Sequence, residues 1–238
     1  MKLCDTGIKP LLLVLAFSIT ACKSQEVRII NKHNDGSKQN FTIELRSKLT
    51  YSKDTLSIAQ TIEFNYLNMG DTININSFIR KIAYKDGSTN EKLINNDYQR
   101  YVDAPLSKNI DRYGKFYEPA STNAANDASK IFNIALLILE FPNHPIKAGD
   151  TWQGKRKIED ITFSYLETKY VCEEINNETT KLKVTLKFIG DDKMFRKEFN
   201  GYYVVDNKEG NITDGKLIMS GSNGFSNING EITIRKIN

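Results

Sequence analysis

The chain has 238 residues, a formal net charge of +4, 39% hydrophobic residues and 26% charged residues. That is enough for one domain with a real core, and it is too mildly basic, with Lys and Arg scattered among acids and asparagines, for a nucleic-acid binder. Two histidines, His33 and His144, and three cysteines, Cys4, Cys22 and Cys172, cannot supply the usual zinc sets, and no phosphate loop, dinucleotide fingerprint or nucleophile elbow is present.

The N-terminus reads as a targeting segment. Lys2 and Lys9 precede the apolar run Leu11–Phe17, and Ile19-Thr20-Ala21-Cys22 closes it with small residues and a cysteine. A basic start, a short apolar stretch and a small-residue cleavage site define a secretory signal. The run is shorter than the roughly 20 residues a membrane-spanning helix needs. Ile-Thr-Ala-Cys resembles the lipobox of bacterial lipoproteins, and that resemblance implies cleavage before Cys22 and acylation of its thiol. The expected organisation is a leader over 1–21, a polar tether over 22–40 and one β-rich domain over 41–238. Val27, Ile29 and Ile30 leave open a first strand inside the tether. Lys2, Lys9 and Asp5 leave with the leader, so the mature side chains sum to +3. Cys4 leaves too and Cys22 is taken by lipid, which leaves Cys172 without a disulfide partner. Cys172 reads as a small core or strand residue; a nucleophile would need a base beside it.

From Phe41 the pattern has period two. Phe41, Ile43 and Leu45 alternate with polar residues, as do Ile58, Ile62, Phe64 and Tyr66, then Ile73, Ile75 and Ile79. This marks half-buried strands, with turns at Asn68-Met69-Gly70-Asp71 and Asp86-Gly87. The tyrosine-rich stretch 97–118 looks extended. A helix is expected over about 124–140: Ser121 to Asp127 offer caps, alanines follow, and Ile131–Leu139 is apolar on nearly every face until Pro142 stops it. After it, Phe141-Pro142-Asn143-His144-Pro145 reads as a rigid connector, Ala148-Gly149-Asp150 as a turn, and Trp152, the only tryptophan, as a ring docked into the core or stacked on a ligand. Strands resume at Ile161, Phe163 and Tyr165. Lys181–Phe188 alternates most cleanly, and Tyr203, Val205, Leu217, Met219, Ile232 and Ile234 continue the pattern. Asn176-Asn177, Glu209-Gly210-Asn211, Asp214-Gly215 and Asn229-Gly230 are expected turns. Two strand-rich halves, 41–120 and 150–238, thus flank one helix. The expected fold is mainly β: a large curved antiparallel sheet or partly open barrel with the buried apolar helix in its concave side.

The stretch Phe141-Pro142-x-x-Pro145-Ile146-Lys147-x-Gly149-Asp150-Thr151-Trp152 resembles a motif of uncharacterised envelope lipoproteins of Bacteroidota. Tyr113-Gly114-Lys115, Gly201–Asp206 and Gly210-Asn211-Ile212 resemble their other strands and turns. The resemblance brings no catalytic residues and no cofactor. The strand–helix plan is also similar to the curved-sheet folds of bacterial lipoprotein carriers and lipid-binding lipoproteins, an analogy of fold only. The acid pairs Glu159-Asp160, Glu173-Glu174 and Asp191-Asp192 face opposite sides of any strand and do not form a glycosidase dyad. Asp54-Thr55-Leu56 and Asp71-Thr72-Ile73 resemble sites where Bacteroidota attach O-glycans. The expected function is therefore non-catalytic. A lipid-anchored envelope protein, outer-membrane by expectation, either binds a lipid or other apolar ligand in a curved-sheet cavity with Leu136 in its lining, or docks another envelope protein. A hydrolase is the remote alternative. Cys22 is the one assigned site residue.

Overall fold

The structure is a computed structural model that describes residues 25–49, 55–85, 96, 99, 102–103, 105–117, 136–157, 164–190, 195–223 and 227–237. Thirteen strands are found among them: β1 Glu26–Val27, β2 Lys38–Leu49, β3 Thr55–Met69, β4 Thr72–Lys85, β5 Pro105–Asp111, β6 Phe116–Tyr117, β7 Ile146–Lys147, β8 Thr151–Lys157, β9 Tyr165–Ile175, β10 Thr179–Ile189, β11 Phe195–Asp206, β12 Ile212–Asn223 and β13 Asn227–Ile237. Eleven of them form one antiparallel sheet in the order β6-β5-β4-β3-β2-β13-β12-β11-β10-β9-β8, and β1 pairs with β7 separately.

The alternation explains the strands. In β10, Leu182, Val184, Leu186 and Phe188 are buried while Lys181 and Lys183 are exposed. Each fully buried aliphatic or aromatic side chain of this kind contributes about 1.5–3 kcal/mol. A sheet this wide must curl to cover its apolar face, and register shifts at Thr61/Ile62, Lys181/Leu182 and Val204/Val205 add local twist. Two sequence-expected turns prove to be strand interior. Asp214-Gly215 lies in β12 opposite Tyr203, Arg235 and Ile234, and Asn229-Gly230 lies in β13 opposite Met219 and Ser47. A Cβ on Gly215 would run into the Tyr203 ring and one on Gly230 into the Arg46 carbonyl. Glycine here permits close packing within the curled sheet rather than chain reversal.

The result is a nearly closed, barrel-like sheet. Its outer strands, β6 and β8, come together where the Arg156 guanidinium lies 4.5 Å over the Phe116 ring. The described turns at residues 70–71, 112–115, 148–150, 176–178 and 207–211 all gather at one end, here called the closed end.

Two expectations are corrected. The helix over about 124–140 is not seen: 118–135 lie outside the described residues, only Leu136 and Leu137 have helical geometry, and 138–140 are irregular. Leu136–Leu139 and Phe141 are buried as expected, but tertiary partners take the backbone groups that a helix would use. The Tyr203 hydroxyl donates to the Leu136 carbonyl (3.0 Å), Trp152 Nε1 to that of Glu140 (2.7 Å), and the Phe141 amide donates to the Tyr113 carbonyl (2.8 Å). Pro142 also disfavours helical geometry at the residue before it. The second correction concerns the tether over 22–40. Ile29, Asn31, His33 and Gln39 are buried, and β2 already begins at Lys38. Of the stretch 97–118, the described residues hold β5, β6, an isolated bridge from Val102 to Ile79 and one helical residue, Gln99.

Candidate functional site

Residues 25–37 form a strap across the closed end, which the polar composition of this stretch disguises. Gln25 Nε2 donates to Asn177 Oδ1 (3.2 Å), and Glu26 and Val27 pair with Lys147 and Ile146. The Asn31 amide donates to the Arg112 carbonyl (2.7 Å), that of Lys32 to Glu209 (3.2 Å) and that of Gly36 to Tyr66 (2.8 Å). The strap thus satisfies its backbone groups on turns that belong to distant strands, as a buried segment must.

Beneath it lies a buried polar cluster. His33, 6% exposed, stacks on Tyr66 with ring centroids 3.6 Å apart. The Tyr66 hydroxyl donates to Gln39 Oε1 (3.1 Å), and Gln39 Nε2 donates to Glu209 Oε2 (3.2 Å). The same carboxylate oxygen accepts from Asn211 Nδ2 (3.0 Å) and Lys236 Nζ (3.1 Å). Burial pushes the His33 pKa down to about 4; Glu209 opposes the shift and Lys236 adds to it. Burial and the nearby Glu209 charge raise the Tyr66 hydroxyl well above its ordinary value. His33 Nε2 and Asn31 Nδ2 are buried without a hydrogen-bond partner. His33 is therefore held neutral and shielded from solvent, an arrangement that stores acid sensitivity rather than delivering a general base to a substrate.

The seam between β6 and β8 is the second polar assembly. Arg156 Nη1 meets Glu140 Oε1 at 3.3 Å, with side chains only 9% and 17% exposed, and Nη2 donates to the Ile138 carbonyl (3.5 Å). Trp152 stacks on Tyr170 at 5.3 Å and is packed against the core, so the ring serves the connector, as the first of its two expected roles requires. The 136–141 segment, the pair and the stack together fill the gap where the sheet fails to close. Sequence patterning could not find this assembly: Glu140 and Arg156 are 16 residues apart and carry no motif.

Cys172 is fully buried, and burial, with Asp150 nearby, pushes its thiol up to about 11. His33 and His144 do not meet it: His33 is in the closed-end cluster, and exposed His144 contacts the Pro145 carbonyl. Glu173 and Glu174 are both exposed. Glu159, Asp160, Asp191, Asp192 and Cys22 lie outside the described residues. Among the described residues no group of three or more His, Cys, Asp and Glu converges to hold a metal ion. On the outer face, Thr42, Glu44 and Arg46 of β2 and Glu231, Thr233 and Arg235 of β13 line a groove of about 290 Å³ with charges of both signs.

The fold and these assemblies define a mainly β, barrel-like domain closed at one end by its own N-terminal strap. Residues 129–226, which span the seam segment and β7 through the whole of β12, match the model of a family of unknown function, DUF6263. The distinctive stretch 141–152 lies inside that match. No curated protein matches the chain.

Proposed function

We propose that the chain is a non-catalytic, lipid-anchored lipoprotein of the bacterial envelope, attached through Cys22, of the Bacteroidota type that its 141–152 motif resembles. In this reading it acts through its outer surface on another envelope protein. The observation that carries the choice between surface and interior is the filled core. Ile62, Phe64, Ile75, Ile110, Leu166, Leu182, Tyr203, Leu217 and Ile234 all have 0% exposure, so no water-sized space adjoins them. An apolar ligand entering through the seam would have to displace the Leu136–Phe141 segment, and burying that segment is worth several kcal/mol by area. The buried Cys172 thiol and the shielded His33 speak against nucleophilic or acid–base chemistry at either of them.

A second reading, binding of a lipid or other apolar ligand, draws on one observation. At the end of the barrel opposite the strap, the inward-facing Leu45, Leu56 and Ile58 are only partly buried, so the apolar interior continues there with surface to spare. Native mass spectrometry of the anchor-free domain separates the two. The surface reading expects a single mass equal to the polypeptide; a co-purified apolar molecule, lost on Ile58→Asp, would replace it with the second. Intact mass of the full protein tests the anchor, which predicts acyl chains on Cys22 and none on Cys22→Ser.

A further inference from the structure

We propose that the closed end of the barrel is the face pressed against the membrane, with Leu67 and Met69 at the β3–β4 hairpin tip seated in the lipid interface. The proposal rests on the reading of Cys22 as the acylated residue. Cys22 and Gln25 are three residues apart, which is at most about 11 Å of chain at full extension. From Gln25 onward the chain is tied to the closed end by the hydrogen bond to Asn177, the β1–β7 pairing and the amide bonds of Asn31, Lys32 and Gly36. The polar layer between hydrocarbon and water is about 5–8 Å thick on each side of a bilayer. An acylated Cys22 sits in that layer, so the side of the closed end that holds Gln25 and Asn177 has no length on which to stand away.

The surface brought down is suited to contact. Met69 is 63% exposed and Leu67 44%, and both project from the outward face of β3 beside the turn. The tip is braced from below: the Asn68 amide donates to Asp35 Oδ1 (3.0 Å) and Asn68 Nδ2 to the His33 carbonyl (2.6 Å). The acid at the turn, Asp71, is paired with Arg112 at 3.2 Å. Exposed Arg28, Lys32 and Lys115 lie at the same end and add charge complementary to anionic headgroups. A braced apolar pair beside basic side chains matches the amphipathic character of the interface. The opposite rim, where β4 ends at Lys85, then faces away from the bilayer by the length of the sheet. The 14 residues of β4 rise about 3.3 Å each, or roughly 45 Å in all.

The test uses the full lipoprotein in vesicles of phosphatidylcholine with a minority of phosphatidylglycerol. An environment-sensitive fluorophore is placed on Met69→Cys or, at the far rim, on Lys85→Cys; buried Cys172 does not compete for the label. Spin-labelled lipid in the bilayer should quench the fluorophore at 69 severalfold more than the one at 85. A Gly/Ser insertion of roughly 20 residues between Ser24 and Gln25, a flexible coil, should bring quenching at 69 down to the level at 85. Intact mass is recorded on the same samples. Acylated protein with equal, weak quenching at both positions overturns the orientation and leaves the anchor standing. Quenching at 69 that the insertion does not change overturns the claim that the short link imposes the contact. Protein with no acyl chain on Cys22 overturns the anchor reading, and the orientation with it.

Discussion

Acidification should loosen the domain through His33 before its carboxylates respond. The histidine is buried against Tyr66 with a pKa of about 4 in the folded chain, against 6.5 for an ordinary histidine. Between those values the unfolded chain binds a proton that the folded chain refuses, so stability falls as pH drops from about 6.5 to about 4, and this residue contributes no further change below. Each pH unit of that window is worth about 1.4 kcal/mol, so the full loss is about 3 kcal/mol, a large share of a typical domain's 5–15 kcal/mol. Glu63, lowered by its hydrogen bond to Arg80, and Glu198, lowered by its hydrogen bond to Asn200, also lose stabilising charge on acidification, but their loss begins only as pH approaches the ordinary carboxylate value of 4.5. Among the described groups with a shifted titration, the interval from pH 6.5 to 5 therefore belongs to His33. Urea unfolding at closely spaced pH values should show the fall in wild type. His33→Phe, which keeps the stack on Tyr66 and removes the titration, should flatten it. Equal slopes for the two proteins across that interval would refute the assignment.

The remaining expectations concern the seam and the core. Trp152→Ala should cost about 3 kcal/mol, while Trp152→Phe, which keeps the stack on Tyr170 and loses the bond to the Glu140 carbonyl, should cost about 1 kcal/mol; the lone indole should emit to the blue of a solvated one and shift red on unfolding. Arg156→Met leaves the half-buried Glu140 without its partner and should destabilise by about 2 kcal/mol. The double variant Arg156→Met/Glu140→Leu should recover most of that by calorimetry, and a double variant no better than the single would contradict the pairing. Cys172 should resist a water-soluble thiol reagent at neutral pH and react fully once the chain is unfolded in guanidinium; fast labelling of the native protein would disprove its burial.

Local chemistry determined much of this protein in the sequence alone. Period-two alternation is a property of neighbouring residues, so Phe41, Ile43 and Leu45, or Leu182 to Phe188, announced strands that the fold contains. The turns at Gly70, Gly149, Asn176-Asn177 and Gly210 were equally legible, because reversal is set within a few residues. So was the burial of Leu136–Leu139, though not its backbone. What only the tertiary structure decided is long-range. Nothing in the composition of β2 and β13 says that the first long strand pairs with the last, Thr42 opposite Arg235, and that pairing is what joins the two meanders into one curled sheet. Gly215 and Gly230 look like turn residues until the facing Tyr203 ring and Arg46 carbonyl are in place. The strap looked like a tether because its residues are polar. Their partners are backbone groups and side chains far along the chain, such as Glu209 and Asn177, the latter 152 residues from Gln25. A helix was the reasonable reading of an apolar run considered by itself. It lost at 138–140 because Arg156, Trp152 and Tyr113 supply, from elsewhere in the chain, the hydrogen bonds that a helix would have had to supply for itself.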